Sequence, residues 1–173
     1  MSKKPGRIYR QTNKRSYSRK EYLGGIPMSL ITIFDMGDLT TNFEVELSLT
    51  VKEDVQITHN ALEAARISAN RYLTKILGPV GYYLKVRVHP HQILRENKMA
   101  SGAGADRISQ GMSLAFGTSV GRAARIRKGQ RVFAVKVPRT GFQAAKIGLK
   151  RASMKIPCGS SIVIDKGKEL LSF

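Results

Sequence analysis

The distribution of acidic residues is the feature that most constrains the fold of this chain. No Asp or Glu occurs between Asp106 and Asp165, whereas the stretch 107–155 contains twelve Lys and Arg residues. Like charges repel one another when a chain becomes compact, unless a polyanion neutralises them. The fold must therefore spread these side chains over its surface, and we expect an anionic partner to stabilise it.

The remainder of the chain strengthens this imbalance. The net charge of the whole chain is +18, and only the segment 35–63 is acidic, with seven acids against one base. A surface this basic attracts phosphate backbones without regard to their sequence. Anionic membranes would also attract it, but no apolar run is long enough to span a bilayer. The charge therefore favours nucleic acid as the partner, with no membrane.

Length and composition favour one folded unit. The chain has 173 residues, enough for a core, and 42% of them are hydrophobic, as in globular proteins. Its one cysteine, Cys158, cannot form a disulfide framework, so we expect a reducing, cytoplasmic environment. The basic N-terminus is not followed by an apolar stretch, which argues against a signal peptide.

Residues 1–26 are predicted to form a basic extended arm that binds RNA. Apolar residues are sparse there, and Tyr9, Tyr17 and Tyr22 are interleaved with bases. Such a segment buries too little apolar surface to offset its loss of entropy, so it should become ordered on a polyanion. A disordered solubilising tail is the alternative. The arm residues assigned to RNA are Lys3, Lys4, Arg7, Arg10, Lys14, Arg15, Arg19 and Lys20.

Residues 27–173 are predicted to form a single α+β domain. Apolar and β-forming runs, several of them alternating with polar residues, predict strands at 29–34, 43–51, 82–89, 92–95, 129–137 and 161–165. Apolar stripes predict helices at 58–77, with Thr58 as its cap, and at 140–155, with a capping box of Thr140 and Gln143. This order indicates an antiparallel or mixed sheet of about six strands with two helices on one face.

A long mobile loop is predicted at 97–121. It contains five Gly and five Ser or Thr, and its periodicity is weak. A structureless segment of this length in a compact domain is usually functional or disordered. The bases that follow are assigned to RNA phosphates, namely Arg122, Arg125, Arg127, Lys128, Arg131, Lys146, Lys150 and Arg151.

Other kinds of site are disfavoured by their spacing. Segment 102–107 lacks the third Gly of a dinucleotide motif, and segment 117–122 lacks the Lys of a P-loop. One cysteine and three histidines do not make a zinc site, so we interpret His59, His89 and His91 as ordinary surface or strand-end residues. Glu44 and Glu46 fit a charged strand face better than a catalytic pair. We expect no enzyme, cofactor or metal.

One long segment carries a family resemblance. The string RVHPHQILRENKMASGAGADRISQGM (87–112) resembles the long loop and its flanks in large-subunit ribosomal protein ten-e. That is the archaeal and eukaryotic branch of the universal family whose bacterial member is protein sixteen. The similarity continues through IFDMG (33–37), ALEAARISANRY (61–72), AFG (115–117), AARI (123–126) and GQ (129–130). The chain stops at Phe173, without the long C-terminal extension of eukaryotic members, which favours an archaeal source.

The resemblance implies a structural protein of the large ribosomal subunit that joins late in assembly. It would bind large-subunit rRNA near the tRNA cleft and extend its loop towards the peptidyl-transferase centre, supporting tRNA positioning. By motif, the loop and its base comprise Arg95, Lys98, Met99, Ser101, Gly102, Ala103, Gly104, Ala105, Asp106, Arg107 and Gln110. The implied partners are large-subunit rRNA, tRNA, neighbouring ribosomal proteins and the 5S rRNA region, with no homo-oligomer.

Two further classes of function share some of these features. A free-standing RNA-binding factor would have the same basic surface but no fixed site on the ribosome. An enzyme that acts on RNA would need a polar catalytic cluster, which the sequence does not offer.

Overall fold

The computed structural model describes residues 6–10, 12 and 19–170, without the side chains of Arg7 and Lys20. Four helices lie in this part of the chain: α1 at Gly6–Arg10, α2 at His59–Leu77, α3 at Ala105–Ile108 and α4 at Phe142–Ser153. The strands are β1 at Asp35–Gly37, β2 at Val45–Val51, β3 at Val55–Thr58, β4 at Tyr83–Val86, β5 at Gln92–Glu96, β6 at Thr118–Ile126, β7 at Arg131–Val137 and β8 at Ser160–Lys166. None of the described helices is long and apolar enough to cross a bilayer.

The strands form two antiparallel sheets. The larger has the order β1-β4-β7-β2-β8, and the smaller has the order β3-β6-β5. In the larger sheet β2 lies between β7 and β8, so that Leu47 is opposite Val135 on one side and Ile164 on the other. The predicted α+β class with antiparallel pairing is confirmed, with eight strands in two sheets where about six were expected.

The two long helices provide much of the core. Leu62, Ala65, Ala69 and Leu73 form the buried stripe of α2, while α4 contributes Ala145, Leu149 and Ala152. Helix α4 packs on β2, β7 and β8, and α2 packs on α4, β3 and β6. Burial of each Leu side chain contributes about 1.5–3 kcal/mol, so the stripes hold both sheets to the helix pair.

The burial of β2 differs from the one-sided pattern that its alternation predicted. Ser48 and Thr50, which belong to the polar set, are buried together with Leu47 and Leu49. The Thr50 hydroxyl donates to the carbonyl of Ser161 on β8 at 3.1 Å, which offsets the cost of removing it from water. A central strand can therefore bury small hydroxyl side chains as well as apolar ones.

The strand predicted at 29–34 is wrong. Ile31 is buried, but Leu30 and Ile33 are largely exposed, and strand structure begins only at Asp35. Phe34 makes one backbone hydrogen bond of the kind found between paired strands: its carbonyl accepts from the Val86 amide at 2.8 Å. Apolar residues in this segment made it look like a strand, but the segment has no continuous hydrogen-bonded partner.

Besides β1, two strands are present that the patterning did not predict. β3 is only four residues long and leads directly into α2, so its apolar residues merged with the start of the helix. β6 begins inside the segment predicted as loop, which therefore ends at Gly117 instead of residue 121. Its small residues and arginines give a weak apolar signal, although it is the central strand of the smaller sheet.

The N-terminal cap predicted for the first long helix, α2, is confirmed, whereas the cap predicted for α4 is wrong. Thr58 caps α2, and its hydroxyl accepts from the Ala61 amide at 3.4 Å. The predicted capping box of Thr140 and Gln143 is wrong, because a 3₁₀ turn at Arg139–Gly141 intervenes and Gly141 becomes the cap. Pro138 precedes this turn in extended backbone.

His59 lies in the first turn of α2 and is buried, so its interpretation as an ordinary surface or strand-end residue is wrong. It is only 6% exposed, and its Nδ1 accepts from the Leu30 amide at 3.2 Å. Burial, together with the charge of Arg122, holds its pKa below the ordinary value, which keeps the ring neutral as that hydrogen bond requires. His59 therefore anchors the segment before β1.

The described part of the N-terminal arm is not extended. Residues Gly6–Arg10 form α1, which contacts β3, and Tyr9 packs against the edge of the core. The Arg10 side chain donates to Glu53 at 3.1 Å. Local contacts with the smaller sheet therefore order this stretch, which the sparse apolar content did not predict.

Candidate nucleic-acid interface

The packing of α2 on α4 brings two rows of basic residues together. Gly148 of α4 faces Leu73 of α2 so closely that a Cβ on the glycine would lie 3.3 Å from the Leu73 side chain. Such small residues allow two helices to approach each other. Arg71 and Lys75 are one turn apart on α2, and Arg151 and Lys155 have the same spacing at the end of α4.

These four cations line a cleft of about 560 Å³, which we call the α2–α4 groove. Its other main lining residues are Ile67 and Tyr72, and the Arg151 guanidinium lies 4.2 Å from the centre of the Tyr72 ring. No carboxylate lines the groove, and within the described residues none of the four cations forms an ion pair. Such a groove can hold a polyanion whose phosphates neutralise it.

The sequence prediction found part of this surface. Lys146, Lys150 and Arg151 are exposed on α4, as expected, but only Arg151 lines the groove. Arg71, Lys75 and Lys155 were missed as site residues. These bases are spaced one helical turn apart, away from the apolar stripe, and that spacing is visible in the sequence. It indicates a shared binding surface only when the packing of the two helices is known.

The predicted bases of β6 hold the N-terminal segment. The Arg122 guanidinium donates to the Pro27 carbonyl at 2.7 Å, and the Arg125 guanidinium donates to the Thr12 carbonyl. Both side chains are half-buried. Their first structural role is therefore to bind the segment that crosses the smaller sheet.

The other predicted bases have varied surroundings. Arg127 and Lys128 are exposed in the turn between β6 and β7, whereas Arg131 forms an ion pair with Asp165 at 2.6 Å. Arg19 is exposed, and Arg10 is paired with Glu53. Lys3, Lys4, Lys14 and Arg15 lie outside the described residues, as do the side chains of Arg7 and Lys20.

The 97–117 loop extends from the end of the β5–β6 pair. Its predicted residues Lys98, Met99, Ser101, Gly102, Ala103, Gly104, Asp106, Arg107 and Gln110 are all exposed, and Ala105 is partly so. The loop also exposes large apolar side chains, including Ile108 at 79% and Met112 at 71%. An exposed apolar stretch of this kind is typical of a surface that contacts a partner.

A few contacts fix the base and middle of this loop. The Asn97 side-chain amide donates to the Gly111 carbonyl at 3.1 Å, and the Ala100 amide donates to the Ser109 hydroxyl at 3.2 Å. The predicted base residue Arg95 lies with its guanidinium 4.2 Å from the centre of the Phe116 ring. The loop is thus closed across its stem, while its outer residues face solvent.

Gly117 closes the loop most tightly. A Cβ there would lie 2.4 Å from the Glu96 carbonyl carbon and 2.6 Å from the Asn97 nitrogen, both of which are backbone atoms. We expect Gly117→Ala to force β5 and β6 apart at Glu96 and Thr118, and to destabilise the fold by about 1–3 kcal/mol.

Hydrogen exchange at the Glu96 and Thr118 amides, with thermal unfolding, would measure this effect. Gly159→Ala is the matched control, because its Cβ would meet only Lys52 side-chain atoms at 3.7 Å or more. If Gly117→Ala and Gly159→Ala behaved alike in both measurements, the close approach at Gly117 would not constrain the stem.

The described residues contain no cluster of three His, Cys, Asp or Glu side chains able to hold a metal ion.

Burial raises the pKa of the Cys158 thiol to about 11, and the charge of Glu53 adds to this shift. The thiol is therefore protonated and a poor nucleophile at neutral pH.

Comparisons with known proteins agree on one family. The sequence profile of the family described as ribosomal protein L16p/L10e matches residues 12–163. The large ribosomal subunit protein uL16 of Methanocella arvoryzae is 52% identical over 171 residues, covering 99% of each chain. Proteins of the same name from Methanococcus maripaludis, at 50% identity, and Archaeoglobus fulgidus, at 52%, also cover 99% of this chain and at least 98% of their own.

Proposed function

Because the chain belongs to the ribosomal protein L16p/L10e family and is a structural constituent of the large ribosomal subunit, we propose that it binds large-subunit rRNA mainly through the α2–α4 groove. We further propose that the 97–117 loop extends to the tRNA cleft. The predicted family and its archaeal branch are confirmed by the match over nearly the whole chain, and with them the expectation that the protein is not an enzyme.

The observation that carries the rRNA proposal is the groove with its four unneutralised cations. Their mutual repulsion costs free energy in the free protein, and a phosphate backbone in the groove would relieve it. Arg71 and Arg151 can each bind a phosphate in bidentate geometry, whereas the lysines act as point charges. Lys146 and Lys150, with the exposed bases Arg127 and Lys128, would extend this contact over the same molecule.

The arrangement of the 97–117 loop supports the tRNA proposal. Its stem is closed at Gly117, and its outer part exposes small residues with Arg107 and several apolar side chains. Small residues permit a close approach to nucleic-acid backbone, which bulky side chains would prevent. In this role the loop positions tRNA and takes no part in bond making. We also propose that the protein contacts the 5S rRNA region and neighbouring ribosomal proteins and enters the subunit late in assembly. The arm residues would bind RNA as well.

Cross-linking in intact ribosomes tests the loop directly. A photoreactive amino acid in place of Ile108, which is exposed in the loop, should cross-link to the acceptor end of bound tRNA upon irradiation. The same group in place of Val80, which is also largely exposed but lies after α2, serves as the control. Cross-links from position 108 to rRNA or protein alone, with none to tRNA in occupied ribosomes, would refute the proposed placement.

A further inference from the structure

The tripeptide His89-Pro90-His91 builds an aromatic surface that the proposed function does not use. The His91 amide donates to the His89 carbonyl at 3.0 Å, which closes a tight turn around Pro90. This turn brings the two imidazoles together, with 4.4 Å between their centres. These two rings are tilted by 41°, whereas Phe34 stacks on His89, with ring centres 5.4 Å apart and planes inclined by 21°.

We call Phe34, His89 and His91 the aromatic ladder. Both histidines are exposed, whereas Phe34 is partly buried and packs against the core, so the ladder leads from the core to the surface. Burial against its neighbours, with the nearby charges of His91 and Arg122, lowers the pKa of His89, so this ring is neutral near pH 7. A neutral imidazole has a flat π surface on which another planar ring can stack.

The ladder borders a small cleft of about 190 Å³, lined by His89, His91, Gln92 and Arg125. The side-chain oxygen Oε1 of Gln92 is inaccessible to solvent and has no hydrogen-bond partner among the described residues. An unsatisfied acceptor of this kind costs free energy until a donor reaches it. The cleft is therefore lined by polar side chains, with the positive charge of Arg125 on one wall.

We propose that the aromatic ladder binds one unpaired base of an RNA strand, a deepening of the proposed function that rests on rRNA as the partner. The base stacks on the exposed ring of His91, and its edge lies at the cleft that Gln92 lines. The adjoining phosphate lies in the positive field of Arg122 and Arg125. A duplex cannot enter, because its bases are already stacked and their edges already paired.

The phosphate-binding groove and the ladder differ in what they recognise. The α2–α4 groove binds backbone charge and therefore accepts single or paired strands, whereas the ladder requires an exposed base face. Zinc is not a competing occupant, since two histidines without further ligands do not complete a site. If the ladder bound a protein and not RNA, substitutions in the ladder would leave RNA affinity unchanged. Measuring RNA affinity of ladder variants therefore distinguishes the two kinds of partner.

The experiment uses the full-length chain with two RNA probes, a short single strand containing 2-aminopurine and a fully paired duplex of equal length. Stacking on a ring quenches 2-aminopurine fluorescence. We expect quenching on the single strand and about tenfold weaker binding of it by His91→Ala. His91→Phe, which keeps a ring at this position, should restore binding, while neither variant should alter affinity for the duplex. Lys168→Ala, an exposed base at another position, is the control.

Equal single-strand affinity in the wild type and His91→Ala, or equal losses on both probes, would overturn the ladder proposal. Affinity for large-subunit rRNA is measured in parallel. Absence of rRNA binding by the wild type would count against the proposed function itself, whereas normal rRNA binding without quenching would count against the ladder alone.

Discussion

Reversing the four charges of the α2–α4 groove should lower the affinity for large-subunit rRNA by about a hundredfold or more at moderate salt. The variant is Arg71→Glu, Lys75→Glu, Arg151→Glu and Lys155→Glu. Each phosphate contact that is lost should reduce the magnitude of the log–log salt slope by about 0.7–0.9, so four contacts should reduce it by about 3. Filter binding to rRNA at several salt concentrations measures both quantities.

A control with the same change in net charge separates a site from general attraction. Lys52→Glu, Arg139→Glu, Lys166→Glu and Lys168→Glu reverse four exposed bases outside the groove. Far-ultraviolet circular dichroism should show both variants folded, since the groove variant loses only the Arg151–Tyr72 contact, worth about 0.5–1 kcal/mol. Equal loss of affinity in the two variants would mean that net charge, and not the groove, governs binding.

Deleting residues 101–110 should leave the fold and subunit incorporation intact but strongly impair peptide-bond formation by the resulting subunits. The deleted stretch contains α3 and no buried residue. Its ends are close, since the Ala100 amide lies 3.2 Å from the Ser109 hydroxyl, and the Asn97–Gly111 hydrogen bond is retained. Shortening a flexible loop alters its closure entropy only slightly, by about 0.6 kcal/mol per halving.

Three measurements belong together in this test: thermal unfolding of the isolated protein, occupancy of subunits on sucrose gradients, and peptide-bond formation with bound tRNA. A loop of equal length made of Gly and Ser is the matched control, because it keeps the reach but removes the side chains. Unfolding of the deletion variant would show that the loop belongs to the core. Full occupancy with normal peptide synthesis would contradict the tRNA proposal.

Much of the fold could be predicted because it depends on local patterning. The alternation in β4 places Leu84 and Val86 inside and Lys85 outside. The apolar stripes of both long helices coincide with most of their buried residues, although Ile76 of α2 is exposed. The predicted strand at 29–34 was wrong because apolar composition does not supply a pairing partner. β6 was missed because its small residues derive their burial from two neighbouring strands that are distant in sequence.

The site was only partly predictable for the same reason. The strongly basic character and the loop segment can be predicted from the sequence, but the groove forms only where α2 packs against α4. Arg71 and Lys155 are far apart in the chain, and no local pattern relates them. Conversely, Arg125 and Arg131 look like free surface charges in the sequence, whereas the fold commits them to a backbone carbonyl and to Asp165.

The position of β8 in the larger sheet has a consequence for how the chain is made. β2 is synthesised early but pairs with β7 and with β8, which ends at Lys166. Until that residue has left the exit tunnel, one side of β2 presents unpaired amides and carbonyls, which are a template for pairing with other chains. Completion of this sheet therefore waits for the last strand in chain order, and one edge of β2 stays open to pairing with other chains until then.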